Sequence, residues 1–148
     1  MKTVEAIKSI LIDQIRGYRS LMNILQRERS YLLSFNPSGI ENLSKEKDNL
    51  VIKLRLLEEE RIRLIEGFFK ENNIDGEMSL NRLYEVTGDD AIKVIRLQFV
   101  SLIQAISELN EFNRILIERS LNFLKGATTI FDTQVSGLKS TGLISKEV

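Results

Sequence analysis

The chain has 148 residues, enough for one domain, with 43% apolar residues to build a core and 28% charged residues to solvate it. Lysine plus arginine total 21 and aspartate plus glutamate total 21, so the net charge is zero and the basic excess usual in nucleic-acid binders is missing. Cysteine, histidine and tryptophan are absent, which excludes disulfides, thiol nucleophiles, Cys- or His-ligated metal and any triad built on imidazole.

Glu5 and Asp13 interrupt any apolar run that a signal peptide would need. No uncharged run exceeds 11 residues, the length of Leu97 to Ser107, against the roughly 20 that a bilayer requires. The expectation is a soluble cytoplasmic protein without direct membrane insertion.

From about Thr3 to Ser34 the residues Val4, Leu11, Tyr18, Leu25 and Leu32 repeat every seven positions, with Ile7, Ile15, Leu21 and Met22 beside them. This predicts a first long helix. Gly17 lies within it and costs about 1 kcal/mol relative to alanine. Six bases (Lys2, Lys8, Arg16, Arg19, Arg27, Arg29) stand against three acids (Glu5, Asp13, Glu28), a local net +3. The bases are spread around the helix with little aromatic interleaving. Pairing with acids of the next helix is therefore expected, rather than nucleic-acid binding.

Phe35-Asn36-Pro37-Ser38-Gly39 breaks the period. Asn36 is a good N-cap and Pro37 a natural first helical residue, so a second helix should run from Pro37 to about Glu71, antiparallel to the first. Ile40, Leu43, Leu50, Leu54, Leu57, Leu64 and Phe68 fit its heptad seam, and Glu58 to Arg63 reads as a solvated face with pairs such as Glu59–Arg63. Ser79 should cap a short helix from Leu80 to about Thr87. The stretch Asn72 to Asp90 carries five acids (Asp75, Glu77, Glu85, Asp89, Asp90) against Arg82. Asp89 and Asp90 fit the start of the following helix, whose dipole favours negative charge.

The last helix should run from Ala91 to about Phe131 on the seam Ile92, Ile95, Phe99, Leu102, Ile106, Leu109, Asn113, Leu116, Ser120 and Phe123. Leu97, Val100, Ile103 and Ala105 lie off that seam. The expectation is that Leu97 to Ser107 is the most buried segment, covered on several faces in the groove between the first two helices. Residues 132–148 have no helical period, although Val135, Leu138, Leu143 and Ile144 are apolar. The fold class is therefore all-α: a coiled-coil-like antiparallel bundle of three long helices over 1–131, with a short connecting helix and a flexible C-terminal tail.

No phosphate-cradling glycine loop, calcium loop or inward Glu-x-x-His motif occurs. No enzyme, cofactor or metal is expected. The informative stretch is Leu109 to Leu124. Asn113 and Ser120 occupy seam positions that should be apolar, while Phe112, Ile115, Ile117, Leu121 and Leu124 are apolar off the seam. Two readings stand. The polar residues fix helix register, or an apolar band containing amides receives a partner's amphipathic helix. On the second reading Asn110, Asn113, Ile117, Ser120, Leu121 and Leu124 are the contact residues.

Leu109-Asn110, Asn113, Leu116, Ser120-Leu121 and Phe123 together resemble the Asn-x-x-Asn motif of the FlgN family. Leu43-Ser44-Lys45-Glu46-Lys47 opening the second helix and the Leu57-Glu58-Glu59-Glu60-Arg61 run agree with that resemblance. It implies a non-enzymatic, all-helical cytoplasmic chaperone of flagellar type III secretion. Such chaperones bind the C-terminal helical segments of hook-associated junction proteins, prevent early association and deliver them to the membrane export gate. The last helix and tail would carry the client. Many family members carry a Tyr-Asp pair just after this helix, associated with export-gate docking. Phe131-Asp132 stands nearest here, keeping the aromatic face and losing the hydroxyl. The alternative is a structural or adaptor coiled coil that forms a homo-oligomer through its heptads, with no flagellar client.

Overall fold

The computed structural model describes residues 2–134, with 131–134 as helical backbone. Four helices follow in order: α1 Lys2–Leu33, α2 Pro37–Glu71, α3 Leu80–Thr87 and α4 Asp90–Gln134. The three long ones pack together, and no strand occurs among the described residues. Helix α4 continues past Phe131, so the first three residues expected in the tail are helical. The expected tail residues Val135, Leu138, Leu143 and Ile144 lie outside the described residues.

The helix ends follow from their residues. At the end of α1, Asn36 N–H donates to Tyr31 O at 2.9 Å and Phe35 N–H to Leu32 O at 3.4 Å. This is a Schellman motif, with Phe35 in the left-handed region at φ 50°. The Asn36 side chain then caps α2 by accepting Gly39 N–H at 3.0 Å. The end of α2 repeats the motif: Ile74 N–H donates to Phe69 O at 2.8 Å, with Asn73 at φ 51°. Ser79 caps α3 by accepting Arg82 N–H at 3.0 Å, and Gly88 at φ 64° closes it. Asp89, not Asp90, caps α4, accepting Ala91 N–H at 3.0 Å.

Helices α1 and α2 are antiparallel. Arg27 makes a two-pronged contact with Glu46 (3.0 and 3.1 Å), and Gly17 lies under Leu54, where a Cβ would sit 2.5 Å from Leu54 Cδ2. Gly17 thus permits close approach of the two helices, which its propensity alone does not reveal. Helix α4 runs parallel to α1. Lys8 Nζ meets Asp89 at 2.8 Å, Tyr18 and Phe99 pack edge to face at 5.6 Å, and Asn113 meets Leu25 and Glu28.

One expectation about α4 fails. No Cα of α2 lies within 8 Å of one in α4, so α1 is the central helix and α4 does not lie in a groove between the other two. The segment Leu97 to Ser107 is consequently not the most buried. Phe99 is buried, but Leu97, Val100 and Ile103 are 56%, 51% and 50% exposed. The seam face of α4 is met by α1, while its other apolar positions stay about half exposed.

The core gathers at one end, the base, where α1 and α4 begin and α2 ends. Val4, Ile7, Leu11 and Ile15 of α1 pack with Ile65, Phe68 and Phe69 of α2, Leu83 of α3, and Ile92, Ile95 and Phe99 of α4. The charged run of α2 also has a packing role. Gln14 Nε2 donates to Glu58 at 2.7 Å across the α1–α2 interface, and Glu58 also takes Arg61. Arg63 pairs with Glu60, three residues back, instead of with Glu59.

Candidate functional site

The distal end of the bundle is built by a difference in helix length. Asn113 of α4 lies level with Leu25 to Glu28 of α1, and α1 stops at Leu33. Among the described residues, α4 therefore has no helix behind it from about Leu121 onward. Its final stretch, from about Leu124 to Gln134, projects about 15 Å past the α1–α2 turn at 1.5 Å per residue. Among the described residues the heptad seam continues into this overhang with only the α1–α2 turn beside it. Phe123, a seam residue, is 69% exposed, and Leu124 and Ile130 are exposed as well.

The turn completes a concave surface. A cavity of about 270 Å³ is bounded by Leu32, Phe35, Asn36, Pro37 and Ile40 on one side and by Ser120, Phe123 and Leu124 of α4 on the other. Phe35, 72% exposed, forms part of its wall. A bulky residue in the left-handed region costs about 1–2 kcal/mol, which glycine would avoid. The corresponding position after α2 holds asparagine, which tolerates that conformation. The phenyl ring is thus placed at the cavity against local backbone preference.

The six residues singled out on α4 do not share one accessible face. Asn110, Ile117 and Leu124 are exposed, and Ser120 and Leu121 are half-buried. Asn113 is 1% exposed. Its Nδ2 donates to Leu25 O and to Glu28 Oε1, each at 2.9 Å, while Oδ1 has no partner. Glu28 also accepts Lys47 Nζ of α2 at 3.4 Å. Asn113, Glu28 and Lys47 therefore link all three long helices, which supports the register-fixing reading for Asn113. Helix α3 does not cover the strip. Its Leu83 packs in the base core and its Tyr84 lies under Lys93. Phe131 and Asp132 fall on the last turns of α4.

The residues that sequence reasoning misses are Leu32, Phe35, Pro37 and Ile40. The available signal was the aromatic Phe35 in a five-residue break whose other members are polar, glycine or proline.

Charge distinguishes this end. Glu118 pairs with Arg114. Beyond it Arg119 and Lys125 are the only charged residues up to Ile130, and neither has an ion-pair partner among the described residues. A larger hollow of about 450 Å³ near the base, between α1 and α4, has its charges satisfied internally. There Lys8 pairs with Glu5 and Asp89, and Arg16 with Asp13. Lys8 is held above its ordinary 10.5, mainly by the Asp89 hydrogen bond, and Asp89 below its ordinary 3.8 by the same contact. Among the described residues no three acids gather to hold a metal ion, and no helix is long and apolar enough to cross a membrane.

A family model described as FlgN protein matches residues 1–141. The chain belongs to the FlgN family. No curated protein and no solved structure matches it. FlgN proteins are flagellar export chaperones and not enzymes. The all-helical architecture agrees with that membership.

Proposed function

We propose that this FlgN protein holds an amphipathic helix of its flagellar client at the distal cradle. The client segment is the C-terminal helical region of a hook-associated junction protein. Binding in the cytoplasm covers its apolar face, prevents premature association, and presents the client to the membrane export gate. The observation that carries this reading is the overhang of α4, whose apolar seam continues past the end of α1 and is exposed among the described residues. Ile117, Leu121 and Leu124 supply apolar contact, with Asn110 and Ser120 at the rim. Asn113 acts from behind, holding α4 on α1. Arg119 and Lys125 favour a client helix with acidic residues beside its apolar face. Phe131 and Asp132, on the last turns of α4, are assigned to gate docking.

Replacing Ile117 and Leu124 together by serine tests the site. Ile117 and Leu124 are exposed, so the melting temperature should stay within a few degrees. Capture of the C-terminal segment of the hook-associated protein should weaken by at least about tenfold, the equivalent of about 1.4 kcal/mol. Unchanged capture, or a loss that only tracks the folded fraction, refutes the assignment.

A further inference from the structure

The outward face of the middle of α4 is unlike the rest of the surface. Lys93, Leu97, Val100, Gln104, Ser107 and Glu111 are spaced alternately four and three apart, so they form one heptad stripe, and all six are exposed. The stripe faces away from α1, which Phe99, Leu102 and Ile106 meet from the other side. On α2, by contrast, the exposed apolar residues Ile52, Leu56 and Ile62 are interleaved with exposed charges such as Lys53, Arg55, Glu59 and Arg63.

The charges of the stripe are ordered. The uncharged run from Leu97 to Ser107 has its midpoint at Leu102. Two bases, Lys93 and Arg96, precede it, and two acids, Glu108 and Glu111, follow it. Lys93 and Glu111 are equidistant from Leu102, and so are Arg96 and Glu108. Asp90 and Arg114 extend the same symmetry with the signs reversed. Turned end for end, the face presents the charges that complement itself. In parallel it would place like on like.

We propose that this face pairs with the same face of a second copy of the chain, antiparallel, about a two-fold axis level with Leu102. Lys93 then meets Glu111 of the second copy at both ends of the contact, and Arg96 and Glu108, on opposite flanks of the stripe, leave a basic end of each copy over the acidic end of the other. Between them Leu97 and Val100 are covered by Ser107 and Gln104 of the second copy. An apolar and uncharged centre with charges at its rim is the normal layout of a protein interface. Arg96 has no ion-pair partner within the described chain. Lys93 lies 5.7 Å from the Tyr84 ring centroid, and Glu111 already accepts from Arg114 Nε at 2.9 Å. A carboxylate retains acceptor capacity for a second donor. The contact spans about 27 Å of helix from Lys93 to Glu111 and belongs with small, reversible interfaces. None of its residues is assigned to the distal cradle.

Sedimentation equilibrium of the full chain, over a concentration series reaching the millimolar range, tests the proposal. The wild type should show reversible dimerisation. The variant K93E/R96E and the variant E108K/E111K should each self-associate at least about tenfold more weakly, because each now places like charges together. Mixed in equal amounts, the two variants should form a heterodimer at least as tight as the wild-type dimer. That rescue also shows that both variants are folded. A wild type that stays monomeric throughout overturns the proposal. So does a wild-type dimer that persists unchanged in either variant, which places the contact elsewhere.

Discussion

The base and the distal end of this bundle use one heptad pattern for opposite purposes. At the base, Ile92, Ile95 and Phe99 of α4 enter a core shared by all four helices. At the distal end the same seam reaches Phe123, which among the described residues faces only the α1–α2 turn across an open cavity, because α1 has stopped at Leu33. Helix terminations differ in the same sense. The base has Asn73, Gly88, Ser79 and Asp89 where their backbone and capping roles want them. The distal turn instead has Phe35 in a conformation that suits asparagine or glycine. An apolar period thus reports that a residue needs a partner, and helix length decides whether a neighbouring helix supplies it.

The contrast can be broken most directly by truncating one apolar side chain at each end. Leu83 and Ile92 are both 0% exposed in the base core. Ile92→Ala should cost about 2–5 kcal/mol, the usual range for emptying a packed site. Phe123→Ala removes a larger side chain from the same seam, yet should change stability by no more than about 0.5 kcal/mol. Urea unfolding of the two variants measures both. Equal losses would mean that the overhang is held as firmly as the base, and the division into core and docking surface would fall.

Much of this architecture is readable from residues alone, and the limits have physical causes. Helix boundaries are legible because Asn36-Pro37, Ser79 and Gly88 carry local backbone chemistry that needs no tertiary context. The seam of α4 is legible because its period is regular from Ile92 to Ser120. The burial of Leu97, Val100 and Ile103 is misjudged for a specific reason. Apolar side chains on several faces imply cover, but do not say whether the cover is an α2 in this chain or another molecule. Asn113 is ambiguous in the sequence because an amide at a seam position suits register and recognition equally. Only its bonds to Leu25 and Glu28 separate the two. The distal cradle is partly hidden because it joins residues from the α1–α2 turn to residues more than eighty positions later in α4.

A substitution at the turn sharpens the comparison by separating stability from binding. Phe35→Gly keeps the left-handed residue that the Schellman motif requires and removes the penalty of its Cβ. The expected result is a gain of about 1 kcal/mol in unfolding free energy. The same change removes one wall of the cavity, so capture of the client segment should weaken by about threefold to tenfold, the worth of partly burying one ring. A gain in stability with unchanged capture would remove the turn from the binding surface. A loss of stability would show that Phe35 packs into the fold, like the residues of the base.

The smallest effect expected is acid weakening of the packing at the base. Glu58 is held below its ordinary pKa of 4.5, first by Arg61, against the opposing effect of burial, with a further contribution from Gln14 across the α1–α2 interface. Asp89 is likewise lowered, by Lys8 and by the N–H of Ala91. A carboxylate whose pKa is lower folded than unfolded stabilises the fold above its unfolded pKa, and that contribution is lost as pH falls through the folded value. With no histidine or cysteine, no side chain of ordinary pKa titrates between about pH 5 and pH 9. The melting temperature should therefore be flat across neutral pH and fall below the carboxylate pKa of 4.5. Glu58→Gln should start slightly lower at pH 7 and fall less steeply in acid, because one of the linked protons is gone. Parallel curves for the two proteins would show that Glu58 contributes no pH-dependent stability and that Gln14 is held by packing alone. A shallower curve for the variant would locate part of the acid response at the base, away from the surface proposed for the client.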